Sequence, residues 1–120
     1  FLQQHPKVNW VNYSGLPNHA DYPLVQKYMR GNASGILNFG VKGGRAGGAR
    51  FQDALQMILR LVNIGDAKTL ATHPASTTHR QLSAQELEKA GVSEDMIRLS
   101  IGIEHIDDII ADLDQALAAA

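Results

Sequence analysis

The chain contains no cysteine. That excludes disulfide staples and thiolate chemistry, whether as metal ligand or as nucleophile, and it favours a cytoplasmic setting. Long apolar runs are missing as well. None approaches the roughly 18 residues that a membrane-spanning helix needs, and no signal-peptide pattern opens the chain. Charge of one sign is also lacking: eleven Lys and Arg stand against twelve Asp and Glu, for a net charge of −1. With no basic stripe, nucleic acid is a poor partner. No internal repeat is visible, and the only low-complexity tract is the alanine run at the end.

What is there is ordinary globular composition: 120 residues, of which 44% are apolar. This is the size of a single domain, 1–120, able to bury roughly two thirds of its unfolded surface around one core. The opening "FLQQHP" reads as the tail of a helix stopped by Pro6. The expectation is that the chain begins in the middle of a larger protein.

Along the chain, "KVNWVNY" is a β-rich run closed by the turn cluster "SGLPNHADYP". A short helix is expected over 24–30. "GILNFGV" alternates Leu37, Phe39 and Val41 against Ile36, Asn38 and Gly40, the period of a strand with one apolar face. "KGGRAGG" lacks both the GxGxxG spacing and a GK[ST] ending, so it is expected to be a turn rather than a phosphate cradle. Over 50–62, Phe51, Ala54, Leu55, Ile58 and Val62 fall at helical spacing. "TLAT" is a short extended piece. Ser83 with Glu86 three residues on is a capping box, so a helix is expected from Ala84 to Gly91. In "MIRLSIGI" the residues Ile97, Leu99, Ile101 and Ile103 would share one strand face, leaving Arg98, Ser100 and Gly102 on the other. A last helix follows, with Asp107 and Asp108 in its first turn and Ile106, Ile109, Ile110, Leu113 and Leu117 on its buried stripe. Strands and helices interleave. The fold class is α/β in α+β layering: a small mixed, largely antiparallel sheet of about four strands with helices on one face.

Two stretches carry chemistry. Arg98, in mid-strand and flanked by the small Ser100 and Gly102, is a guanidinium on a rigid mount, suited to gripping a carboxylate with two parallel hydrogen bonds. A solvated arginine, or one paired with an internal acid, fits the same pattern. "THPASTTH", residues 72–79, holds two histidines and a run of hydroxyls. His73 and His79 are six apart, which matches no familiar metal pair. A hydroxyl nucleophile would need an oriented base, and no Gly-x-Ser-x-Gly elbow is present. His5, His19 and His105 read as surface or capping residues.

Taken together, "NIGDAKTLATHPASTTHRQL" and "AGVSEDMIRLSIGIEHIDDIIADLDQAL" resemble the C-terminal domain of the pyridoxal-phosphate enzymes of cysteine and methionine metabolism, which are of fold type I. "WVNYSGLPNHADYPLVQKYM" and "GILNFGVKGG" extend the resemblance over nearly the whole chain. Asn63 where most members carry serine, and Thr77 where methionine is usual, look like the O-acetylhomoserine sulfhydrylase branch. Cystathionine gamma-synthase and methionine gamma-lyase are the neighbouring branches.

The resemblance implies no catalytic, cofactor-binding or metal residue within the chain, and a substrate-binding set made of Arg98, which would hold the substrate α-carboxylate, Asn63 and Thr78. "THPASTTH" would then be a pocket wall, with His73 and His79 fixing the loop. Pyridoxal phosphate would serve the full-length enzyme through a large domain that this chain lacks; Lys7, Lys27, Lys42, Lys68 and Lys89 do not sit in the cofactor-lysine motif. The 120 residues alone would bind no cofactor and be inactive, while the whole protein would act on O-acetyl-L-homoserine as a homotetramer. The competing expectation is a stand-alone carboxylate-binding or interaction module.

Overall fold

In the computed structural model, which describes residues 1–79 and 81–120, five strands form one sheet. They are β1 (Val8–Asn12), β2 (Ile36–Val41), β3 (Leu59–Arg60), β4 (Leu70–Thr72) and β5 (Met96–Ser100), in the spatial order β1-β2-β5-β4-β3. Every neighbouring pair is antiparallel except β3 with β4. The helices are α1 (Tyr22–Tyr28), α2 (Gly44–Ala54), α3 (Ala84–Lys89) and α4 (Ile106–Ala118), with 3₁₀ turns at Leu2–Gln4 and Pro74–Ser76. Among the described residues no helix is long and apolar enough to cross a membrane.

The alternation in β2 does what the sequence implies, putting Phe39 and Val41 at zero exposure. Ile97 and Leu99 of β5 join them, as do Ala71, Phe51 of α2, and Ile109, Leu113, Ala116 and Leu117 of α4. The rings of Phe39 and Phe51 meet edge to face with centroids 5.6 Å apart, an arrangement aromatic quadrupoles favour. Burying each large side chain here contributes about 1.5–3 kcal/mol before the entropy of ordering it. On the opposite face of β5, Met96 packs against a smaller cluster of Ala75, Leu87 and Val92.

The second helix is not where apolar spacing places it. It begins at Gly44, inside the stretch expected to be a turn, and stops at Ala54 instead of continuing to Val62. Glycine disfavours helix by about 1 kcal/mol per residue, yet packing overrides this. A Cβ on Gly47 would clash with the Lys42 carbonyl, and one on Gly48 would lie 2.5 Å from Nε2 of His73. Only glycine lets the helix lie this close to its neighbours. At the other end, the Asp112 carboxylate of α4 accepts from the backbone N–H groups of Gln56, Met57 and Ile58 at 2.8–2.9 Å. Those amides are thereby taken out of helical bonding, and the chain leaves as the short edge strand β3. Val62 is consequently half exposed, not buried.

The fifth strand also ends early. After Ser100 the chain turns: Gly102 N donates to Thr69 Oγ1 at 2.9 Å and Ile103 N to the Ala67 carbonyl at 2.9 Å. Ile103 is therefore 86% exposed and does not share the face of Ile97 and Leu99, and Ile106 lies outside the buried stripe of α4. The first helix starts two residues ahead of its expected position, with Pro23 in its first turn, where a missing N–H costs nothing. The capping box at α3 forms as read: Ser83 N and Oγ each lie 2.8 Å from Glu86 Oε2. Those bonds from Ser83 hold the Glu86 carboxyl below its ordinary value.

Candidate functional site

Strand pairing assembles one polar row across the face of the sheet opposite Phe39, Ile97 and Leu99. Arg98 on β5 stands directly opposite Asn38 on β2 and Thr72 on β4, and Asn38 in turn stands opposite Asn12 on β1. Side chains opposite one another in a sheet share a face, so a single cation lies between amide and hydroxyl neighbours on a rigid floor. Asn12 and Asn38 were not singled out by sequence reasoning. The signal was available: they alternate with the apolar residues of their strands, as Arg98 does. Asn38 Oδ1 is buried and, among the described residues, has no hydrogen-bond partner.

Arg98 is partly exposed, and its guanidinium donates to the carbonyl of Val62. An arginine has five N–H donors, so this bond orients the group without exhausting it. The same segment is tied a second time to β5, through Gly65 N donating to Ser100 Oγ at 3.0 Å. Asn63 lies between these two ties. The structure thus brings Asn63, exposed at the surface, alongside Arg98.

Thr78 arrives by a longer route. Thr72, across from Arg98, has its Oγ1 3.3 Å from Oγ1 of Thr77, which in turn donates to the His73 carbonyl at 2.9 Å. Thr78 is the next residue; its hydroxyl is exposed and pairs with Nδ1 of His79 at 2.8 Å. Asn63 thus follows the residue whose carbonyl Arg98 binds, and Thr78 follows the residue whose hydroxyl meets that of Thr72.

His73 has a different task. It is fully buried, with Nδ1 2.8 Å from Ser76 Oγ and Nε2 2.8 Å from the Glu94 carbonyl, and its backbone N–H donates to Gln52 Oε1 at 3.1 Å. A carbonyl only accepts, so the network assigns the proton to Nε2 and leaves Nδ1 to accept from Ser76. Both ring nitrogens are engaged in these bonds, leaving no lone pair for a metal. Its ring and its backbone N–H together cross-link the 74–76 turn, the lead-in to β5 and α2.

Two other carboxylates hold the loop that carries Asn63. Burial pushes the Glu104 carboxyl up, but bonds from Thr69 N at 2.6 Å and Thr69 Oγ1 at 2.7 Å outweigh it and bring it below its ordinary value. Asp112 follows the same pattern: burial raises it, and the N–H groups of Ile58, Gln56 and Met57 with the Gln115 amide lower it further.

Among the described residues, no lysine is placed as a cofactor lysine would have to be. A cofactor lysine needs a secluded amine. Lys7 Nζ is instead bound to the Ala120 carbonyl at 2.9 Å, Lys27 lies over the Tyr28 ring, and Lys42, Lys68 and Lys89 are exposed. What the row can do is recognise a planar anion: a guanidinium held at one edge, with hydroxyl and amide groups around it.

Comparison with known proteins places these features in context. The family model described as Cys/Met metabolism PLP-dependent enzyme matches residues 1–118. O-acetyl-L-homoserine sulfhydrylase 1 of Thermus thermophilus is 51% identical over 118 residues, covering 98% of this chain and 28% of that protein. L-methionine gamma-lyase of Pseudomonas deceptionensis is 46% identical over 118 residues, covering 98% of this chain and 29% of the relative. Among solved structures, a Campylobacter jejuni protein assigned as an O-acetylhomoserine (thiol)-lyase, which carries a pyridoxyl-lysine, superposes with a TM-score of 0.87 at 47% identity. That match covers 98% of this chain and 28% of the other. The chain therefore spans under a third of the length of these relatives.

Proposed function

The chain belongs to the pyridoxal-phosphate-dependent enzymes of cysteine and methionine metabolism, and from that premise we propose that it forms the substrate-carboxylate side of an O-acetylhomoserine sulfhydrylase. The full-length protein would exchange the acetate of O-acetyl-L-homoserine for sulfide, giving L-homocysteine and acetate. The observation that carries the reading is Arg98 in the middle of the polar row, with Asn63 tied beside it through Val62. Its free N–H groups would take the α-carboxylate in a two-pronged grip, Asn63 would add a contact to the same group, and Thr78 would line the pocket edge. A carboxylate held at a rigid strand aims the remainder of the amino acid, its γ carbon included, in one direction.

Pyridoxal phosphate, held by parts of the full-length protein outside these 120 residues, would supply the electron sink for elimination and addition at the γ carbon. The 120 residues alone catalyse nothing in this reading. One partly exposed arginine–carboxylate contact contributes about 1 kcal/mol or less, too little to offset the cost of association.

The 46% identity to a methionine gamma-lyase favours a second reading in which the same grip serves release of a thiol from methionine. The experiment is a direct comparison on the purified full-length protein with pyridoxal phosphate: homocysteine formed from O-acetyl-L-homoserine and sulfide, against methanethiol released from L-methionine. The proposal expects kcat/KM for the first to exceed that for the second by about a hundredfold or more. The reverse order would replace it with the lyase reading.

A further inference from the structure

The carboxylate grip proposed above depends on a carbonyl, and the position of that carbonyl is set from a distant helix. Following the chain backward from Val62 leads to β3, an edge strand of two residues whose side chains are both exposed. Its pairing with β4 and the bonds Leu59 N to Thr69 O (3.1 Å) and Leu61 N to Ala71 O (3.2 Å) hold its inner edge. Two exposed residues on a sheet edge provide little packing of their own. The lead-in is the part that is anchored. Ile58 is buried, and the three successive amides Gln56, Met57 and Ile58 all point at one carboxylate.

That carboxylate is Asp112, itself buried on α4. Its Oδ1 takes Gln56 N at 2.9 Å and Gln115 Nε2 at 2.8 Å; its Oδ2 takes Met57 N at 2.9 Å and Ile58 N at 2.8 Å. Gln115 also donates to the Ala54 carbonyl, the last residue of α2, at 2.8 Å. The pair therefore caps the helix, collects the next three amides and launches the chain toward Val62. An ionised carboxylate suits this work because it accepts at every lone pair and donates nowhere. No neutral side chain of the same size does both.

We propose that Asp112 is a positioning residue for amino-acid recognition, acting through the 56–62 segment on the Val62 carbonyl and thereby on Arg98. It touches neither substrate nor cofactor. This rests on the carboxylate-grip reading of Arg98 given above. A purely structural Asp112 would lower stability and leave the affinity of correctly folded enzyme unchanged. A positioning Asp112 changes affinity, and only through Arg98.

The test is a double-variant cycle in the full-length protein with its cofactor, using Asp112→Asn, Arg98→Lys and their combination, with steady-state kinetics on O-acetyl-L-homoserine below the unfolding temperature of each. Asp112→Asn places an amide NH₂ against backbone N–H groups on one side. The expected result is a KM raised about fivefold or more, with a smaller fall in kcat, in the single variant, and little further rise when Arg98 is already lysine. An unchanged KM in folded Asp112→Asn overturns the inference. So does an equal rise in both backgrounds, which marks a general structural effect. If Arg98→Lys itself leaves KM unchanged, the carboxylate reading fails instead, so the two failures are distinguishable. Should Asp112→Asn not fold, Gln115→Met carries the test, since it removes one of the two bonds to Oδ1 and the bond to the Ala54 carbonyl while sparing the three backbone bonds. A KM rise of about twofold or more supports the inference, and an unchanged KM overturns it.

Discussion

Arg98 donates to the backbone carbonyl of Val62, so the cation proposed to bind substrate also fastens the residue that precedes Asn63. Replacing Arg98 by Met keeps the stem and removes the tie. In the full-length protein, amide hydrogen exchange over residues 61–65 is expected to speed up by about tenfold, while β2 and β5 stay protected. Equal exchange in both proteins would show that Gly65–Ser100 and the β3 pairing suffice to hold the loop.

In the proposed grip Asn63 would add a contact without dominating it. Its side chain is exposed, and a hydrogen bond from a neutral group to a carboxylate is worth about 1.5–3 kcal/mol at most, less when open to water. Asn63→Ala in the full-length protein should raise KM for O-acetyl-L-homoserine by about three- to tenfold. A KM unaltered by the change would confine the contact to the backbone of residue 63.

His73 is expected to matter for stability and not for chemistry. His73→Ala leaves the Glu94 carbonyl without its ring donor, leaves Ser76 Oγ only its 3.4 Å bond to the carbonyl of residue 73, and opens a hole beside Gly48. The combined loss is about 3–5 kcal/mol, read as a lowered midpoint of denaturant unfolding. Preserved stability together with lost activity would point to a direct catalytic role.

Gly48→Ala sets two effects against each other. Alanine gains about 1 kcal/mol as a helix former. The added methyl, however, meets a ring that is fully buried and fixed by two hydrogen bonds, and overpacking of this kind costs about 1–3 kcal/mol. The net result should be destabilising, and a raised unfolding midpoint would show that the ring can move.

Acid should loosen the same region. Asp112 and Glu104 lie below their ordinary values of 3.8 and 4.5, so the folded state binds protons more weakly than the unfolded chain. Their contribution is complete above those ordinary values and is lost as pH falls through the lower folded-state values. Unfolding midpoints should be flat from about pH 6 to 8 and drop below about pH 4.5. A drop that persists unchanged in Asp112→Asn would assign the acid sensitivity elsewhere.

Much of this architecture was legible in the sequence. The alternation in β2, the Ser83–Glu86 box and the apolar spacing of α4 are local signals, and local geometry obeyed them, the exposed Ile106 at the start of α4 apart. Arg98 could be put on the polar face of its strand by counting. What escaped were features set by distant partners. The glycines of "KGGRAGG" read as a turn because their reason for being glycine is Lys42 on one side and His73 on the other. The helical spacing of Leu55, Ile58 and Val62 misled because Asp112, more than fifty residues away, takes the amides a helix would need. Asn38 and Asn12 entered the polar row only once the strand order was known.

The most direct measurement is the Michaelis constant of Arg98→Lys in the full-length protein for O-acetyl-L-homoserine. An ammonium keeps the charge but cannot form two parallel bonds to a carboxylate. The expected result is a KM raised by about tenfold or more with the fold intact. Kinetics indistinguishable from the unaltered protein would contradict the account, because the one cation of the row would then have no part in holding the substrate.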